Sequence, residues 1–102
     1  MSSIKVRAKA DGDVVTVKAL MKHPMETGQR KDKSGNPIPA HYIQEVVCEH
    51  NGNVVMTALW GPSVSKNPYL SFKFTGGAKG DALKISWADN EGKSDSEEAT
   101  IG

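Results

Sequence analysis

The chain has 102 residues, 37% of them hydrophobic, and its thirteen Lys and Arg stand against twelve Asp and Glu for a formal net charge of +1. A chain of this size organises around one core and buries roughly two-thirds of its unfolded surface, so residues 1–102 read as a single domain. The near-neutral balance supplies no field for gathering phosphates, which argues against nucleic acid as a partner, and no run approaches the ~20 apolar residues of a membrane span. The opening "MSSIKVRAKADGD" alternates apolar and charged residues instead of forming the unbroken apolar stretch of a signal peptide. A soluble chain without an export address of its own is expected. The single cysteine, Cys48, cannot make an internal disulfide.

In chain order the sequence is a series of short period-2 segments broken by turn residues. Ile4, Val6 and Ala8 alternate with Lys5, Arg7 and Lys9; after "ADGD", Val15, Val17, Ala19 and Met21 alternate with Thr16, Lys18 and Lys22. Both segments read as half-buried strands. In "YIQEVVCEH" the face Ile43, Glu45, Val47, Glu49 carries two carboxylates, so Gln44, Val46, Cys48 and His50 are expected to face inward. Asn51-Gly52 stands where a two-residue hairpin turn requires positive φ, and it predicts pairing of that strand with Val54 to Leu59. Leu70, Phe72 and Phe74 form a further apolar face, as do Leu83, Ile85 and Trp87, and Ala99 and Ile101 close the chain. Seven strands with no helical period predict an all-β, antiparallel immunoglobulin-like sandwich.

Three segments break the rhythm, and loops are where function concentrates. The first runs from "HPMETGQRKD", His23 to Asp32, through "KSGNPIPA" to Ala40, with Gly28, Gly35, Pro37 and Pro39 opposing regular structure. The second is "GPSVSKNPY", Gly61 to Tyr69. The third is the acidic "DNEGKSDSEE", which reads as a solvated edge strand protected by its charge.

No catalytic constellation is visible. There is no nucleophile elbow of the "GxSxG" kind, the carboxylates are scattered over strand exteriors, and Cys48 sits mid-strand on the apolar face as a buried thiol. No enzyme is expected. A metal site is the stronger competitor, since His23, Met25, His41, Cys48 and His50 offer imidazole and sulfur ligands. "HPM" followed by "HYI" is similar to a segment of the superoxide reductases, which hold a non-haem iron on a comparable sandwich. Those enzymes complete the site with a Cys-x-x-His pair near the C-terminus, whereas no histidine or cysteine follows His50 here. His23 is expected to be a wet loop residue, sharing no face with Cys48 and His50, so no metal or other cofactor is expected.

From about Ile4 to Ile101 the chain resembles the SoxZ family, small subunits of the bacterial sulfur-oxidation carrier. The resemblance rests on "VKALMKHPMETGQRKDKSGNPIPAHYIQEVVCEHNG", "VSKNPYLSFKF" and "KISWADNEGK" in that order. It implies a non-catalytic subunit paired with a SoxY-like subunit, whose C-terminal cysteine carries intermediates from thiosulfate or sulfide between the other Sox enzymes. The present chain ends in "EEATIG", so the carrier thiol is expected on the partner. The resemblance also implies a periplasmic location reached by co-export with a signal-bearing partner, and self-association is conceivable when the chain is expressed alone. His23, Met25, Glu26, Gly28, Gln29, Arg30 and Lys31, with Asn67, Pro68 and Tyr69, are read as partner-binding surface: Arg30 offers a fork of donors, Gln29 donates and accepts, and Met25 fills apolar gaps. The competing reading is that Glu26 and Arg30 brace the loop against its own sandwich.

Overall fold

The computed structural model of the chain describes residues 3–61 and 63–102. Met1 and Ser2 of the opening stretch and Pro62 of the Gly61 to Tyr69 segment lie outside the described residues. The alternating segments become β1 (Ile4–Asp11), β2 (Val14–Met21), β3 (Ile43–His50), β4 (Asn53–Leu59), β5 (Tyr69–Thr75), β6 (Ala82–Asp89) and β7 (Ser94–Thr100). They pair antiparallel into two sheets, of order β1-β2-β5 and β4-β3-β6-β7. The seven-strand sandwich expected from periodicity is the observed fold, with no helix among the described residues.

Apolar alternation explains which faces meet. Val15, Val17, Ala19 and Met21 of β2 are all buried, as are Leu83, Ile85 and Trp87 of β6. The core has two lobes: Val15, Val17, Cys48, Leu83 and Ile101 form one, and Ile4, Ala19, Met21, Met25, Ile43, Val46, Ile85 and Trp87 form the other. Asn51 and Gly52 take φ of 49° and 86° between the paired residues His50 and Asn53, the positive-φ hairpin that their identities predict.

The phase of β3 departs from simple alternation. A register shift between Ile43 and Glu45 inserts a bulge against β6, so Ile43 is buried and Gln44 is exposed, while Val46 and Cys48 keep the inward positions expected of them. A bulge adds one residue to one strand only, and everything beyond it changes face.

β7 lies at the edge of its sheet, as the acidic segment suggested. It does not stand free. β1 packs beside it, the N–H and hydroxyl of Ser3 both donate to Asp95 Oδ2 at 2.7 and 2.6 Å, and Gly102 exchanges backbone hydrogen bonds with Ala8 and Ala10 of β1.

The long connection between β2 and β3 is more ordered than its glycines and prolines suggested. Glu26 and His41 pair as a bridge, as do Lys31 and Pro37, and Asp32 Oδ1 accepts the N–H groups of Ser34 and Asn36 at the tip. The segment is thus a narrow ribbon. Strands of eight residues span about 27 Å, so a molecule 54 Å along its longest axis carries this ribbon as a projection. Gly28, at φ +88°, passes so close to Ala40 that a Cβ would lie 3.2 Å from the Ala40 Cβ. Glycine suits both the positive φ and this close approach between the two arms of the ribbon.

Candidate functional site

At the root of this ribbon, three polar side chains distant in sequence converge on one carboxylate. Asp89 ends β6, and its Oδ1 accepts the N–H groups of Glu91 and Lys93 at 3.0 and 2.9 Å, which folds the turn into β7. Its Oδ2 faces the other way. It accepts His23 Nε2 at 3.1 Å and His41 Nε2 at 2.8 Å, joining the first and last residues of the ribbon. The Asp89 side chain is fully buried and that of His23 nearly so, while His41 reaches solvent at 22% and has Glu91 Oε1 at 3.6 Å. Burial pushes the Asp89 carboxyl up, but the hydrogen bonds from His23, Lys93, His41 and Glu91 outweigh it and hold the group at about 2, below its ordinary 3.8.

Neighbouring groups lock this clasp. Pro24 favours an extended His23. Met25 takes φ +48°, unusual for a residue with a Cβ, and is held there by its N–H donating to His23 Nδ1 at 3.1 Å and its Sδ accepting the Ile43 N–H at 3.3 Å. Asn67, at φ +51°, accepts the His23 N–H on its Oδ1 and donates its own N–H to the His23 carbonyl. Asn90 accepts the Tyr42 N–H, donates Nδ2 to the Ala40 carbonyl, and so continues the sheet by side chain. Trp87 stands edge-on to the His23 ring at 5.1 Å; its indole N–H has no acceptor among the described residues, so it contributes packing and this ring contact.

This geometry divides the residues read as partner-binding surface. His23, Met25 and Pro68 are buried, and the exposed Asn67 is hydrogen-bonded to His23, so these four build the base of the ribbon. The expectation of a wet His23 is corrected: the Asp89 carboxylate and the Met25 N–H satisfy both ring nitrogens, which lets the imidazole enter the core. Gly28, Gln29, Arg30 and Lys31 lie exposed along the ribbon, and Tyr69 is 59% exposed at the start of β5. Glu26, half-buried, receives Arg30 through both carboxylate oxygens at 2.8 and 3.1 Å, so the bracing pair does form, with the guanidinium largely in water. Exposed pairs of this kind contribute little to stability.

The remaining sulfur and imidazole groups are elsewhere and occupied. Cys48 has no exposure, and burial, with Glu49 nearby, pushes its thiol up to about 11. His50 Nε2 lies 2.7 Å from Asp81 Oδ2, and this hydrogen bond is the largest cause of a lowered Asp81 carboxyl. All three histidines are tied to carboxylates. Asp89 and Asn90 fall in the acidic run read from sequence as a solvated edge, and that reading is corrected for Asp89, which is buried beneath two imidazoles; the available signal was an "ADN" at the end of an apolar strand, where an Asx side chain folds a turn.

The family model for sulphur oxidation protein SoxZ matches residues 4–100. The chain belongs to the SoxZ family. No curated relative matches it. Among solved structures it is similar to a hypothetical protein of Pyrococcus horikoshii, at 18% identity and TM-score 0.64, covering 97% of this chain and 87% of that one. It is also similar to two structures of the superoxide reductase (neelaredoxin) of Archaeoglobus fulgidus in the reduced form, at 21% and 23% identity and TM-scores of 0.65 and 0.62, each covering 99% of this chain and 88% of the other. At these identities the likeness is one of fold.

Whether the clasp of this SoxZ-family chain suits a metal is decided by its donor set. His23, His41 and Asp89 bring three potential ligand atoms within 4.8 Å of one another. Proximity is not enough. Because His23 Nδ1 accepts a backbone N–H, the ring proton sits on Nε2, the atom a metal would need as a lone-pair donor. Asp89 in turn already accepts four hydrogen bonds. The donor set fits a hydrogen-bonded clasp and does not fit a resident metal.

Two predictions follow from the clasp. Asp89→Asn is expected to destabilise the fold by about 3 kcal/mol in urea unfolding, since it removes the charge on which buried donors converge. The folded-state carboxyl lies below its ordinary value, so the stability it contributes is complete above about pH 4 and disappears as pH falls from 3.8 toward 2; the variant is expected to show a flatter pH profile in that window. Protein produced in iron- and zinc-replete medium is expected to contain well under one equivalent of tightly bound metal by elemental analysis, with an unchanged melting temperature after chelation.

Proposed function

We propose that this chain is the non-catalytic subunit of a heterodimeric sulfur carrier, binding a SoxY-like subunit whose C-terminal cysteine bears the sulfur intermediates of thiosulfate oxidation. The observation that carries the reading is the state of Cys48. A carrier thiol must be exposed and readily ionised, whereas Cys48 has no exposure and a thiol raised to about 11. With family membership in sulfur oxidation, an inert thiol leaves the cargo to a partner.

The ribbon is the proposed recognition element. Its root is fixed by the Asp89 clasp and by Asn67, so Gln29, Arg30 and Lys31 are held out from the sandwich at a defined angle. Preorganisation of this kind lowers the entropic cost of docking. Tyr69 adds an exposed ring on the same root, through Pro68, whose carbonyl accepts the Met21 N–H. The proposed location is the periplasm, reached together with the signal-bearing partner; the resemblance that implies the partner also supports this location.

Co-expression with a SoxY-like subunit tests the reading. A stable heterodimer is expected, with sulfur loading unaffected by Cys48→Ala. Arg30→Ala is expected to weaken association with the SoxY-like subunit, or with one of its enzymes, at least tenfold while leaving the melting temperature of the chain nearly unchanged. Loss of sulfur loading in a folded Cys48→Ala heterodimer would overturn the assignment.

A further inference from the structure

The near-neutral total charge conceals a segregation that only the strand register reveals. The outward face of the three-stranded sheet takes alternate residues of β1, β2 and β5. Lys5 lies beside Leu20 and then Tyr69; Arg7 beside Lys18 and then Ser71; Lys9 beside Thr16 and then Lys73. Lys5, Arg7, Lys9, Lys18 and Lys73 are all exposed, and none makes an ion pair with the described residues. Asp11, paired with Val14 at the end of the ladder, is the acid on this face; Glu97 and Glu98 border it across the β1 edge. The outward face of the other sheet has the opposite character, with Glu49, Lys84 and Glu98 in one row and Glu45 in another.

Protection of a sheet edge by lysine explains Lys5 and Lys9 on β1, but not Lys18, which sits on the central strand β2. Arg7 and Lys18 are direct cross-strand neighbours, an arrangement of like charges that destabilises a sheet. A local rule broken on an exposed face, offset inside the chain only by Glu97 and Glu98 at the β1 edge and by no ion pair, points to further compensation from outside. The shape narrows the occupant. Lys5, Arg7, Lys9 and Lys18 line broad, open grooves along β1 with no buried donor among them, which does not suit a small anion. At one end Leu20 and Tyr69 are 37% and 59% exposed, giving the face an apolar and aromatic corner of the sort found in protein interfaces.

We infer that the basic face formed by Lys5, Arg7, Lys9, Lys18 and Lys73, with Tyr69 and Leu20 at its corner, docks an acid-rich surface of a folded protein. Resting on the carrier reading, that protein is an enzyme that the carrier visits transiently: exposed charge of one sign on an open surface accelerates encounter and contributes modestly to residence.

Stopped-flow association of the purified heterodimer with each purified Sox enzyme of the same source tests this, using the double reversal Arg7→Glu with Lys18→Glu and the conservative Arg7→Lys. The wild-type rate with at least one enzyme is expected to fall steeply as salt is raised. The reversal is expected to lower the low-salt rate at least tenfold, Arg7→Lys to preserve it, and heterodimer formation and melting temperature to stay as in the wild type. Rates with every enzyme that ignore the reversal overturn the inference while leaving the carrier function standing. It is equally overturned if the reversal abolishes the heterodimer, if it abolishes self-association in sedimentation, or if phosphatidylglycerol vesicles or duplex DNA bind the basic face and the enzymes do not. Failure of the wild-type chain to form a heterodimer overturns the carrier reading and this inference with it.

Discussion

One buried carboxylate organises the end of this sandwich at which the long ribbon is rooted. Asp89 receives four donors from three parts of the chain: the β6–β7 turn, the start of the long ribbon and its end. A buried charge left unpaired is costly, so its satisfaction ties those segments into one cooperative unit. Met25 closes the core lobe from outside the strands, and Asn67 locks the loop before β5 to the same histidine. A small domain thereby holds a long, polar, glycine-containing projection in place with few apolar contacts of its own.

The remaining features divide between this clasp and the surface. Groups that look reactive in a list of residue types, three histidines and a thiol, are all withdrawn: the histidines onto carboxylates and the thiol into the core. The surface that remains carries the ribbon at one end and segregated charge on the two sheet faces. Such a division suits a subunit that positions a reactive partner and contributes no chemistry itself. The likeness to a superoxide reductase is one of fold, and here side-chain identity and tautomer decide what the cluster at the end of the sandwich does.

Much of the fold was legible because strands of a sandwich advertise themselves by period. The inward faces of β2 and β6 and the Asn51-Gly52 hairpin could be named residue by residue. The β3 phase was misread at Ile43 and Gln44 since a bulge leaves no mark in a binary pattern. The clasp was illegible for another reason: His23 and Asp89 are 66 residues apart, and nothing local distinguishes an acid that accepts buried imidazoles from its neighbours in an acidic run. Likewise a net charge of +1 reads as an absence of electrostatic character, although the Lys5, Arg7, Lys9 alternation already places three cations on one face.

The central claim is that the histidine pair at the ribbon root is a structural clasp whose protons point at Asp89. Long-range nitrogen-15 NMR of the histidine rings tests it most directly, because it reports which ring nitrogen bears the proton. For His23 a protonated Nε2 and a bare, hydrogen-bond-accepting Nδ1 are expected, with the pattern unaltered by added zinc or ferrous iron. A bare Nε2 that shifts stoichiometrically with either metal would contradict it and make the cluster a metal centre.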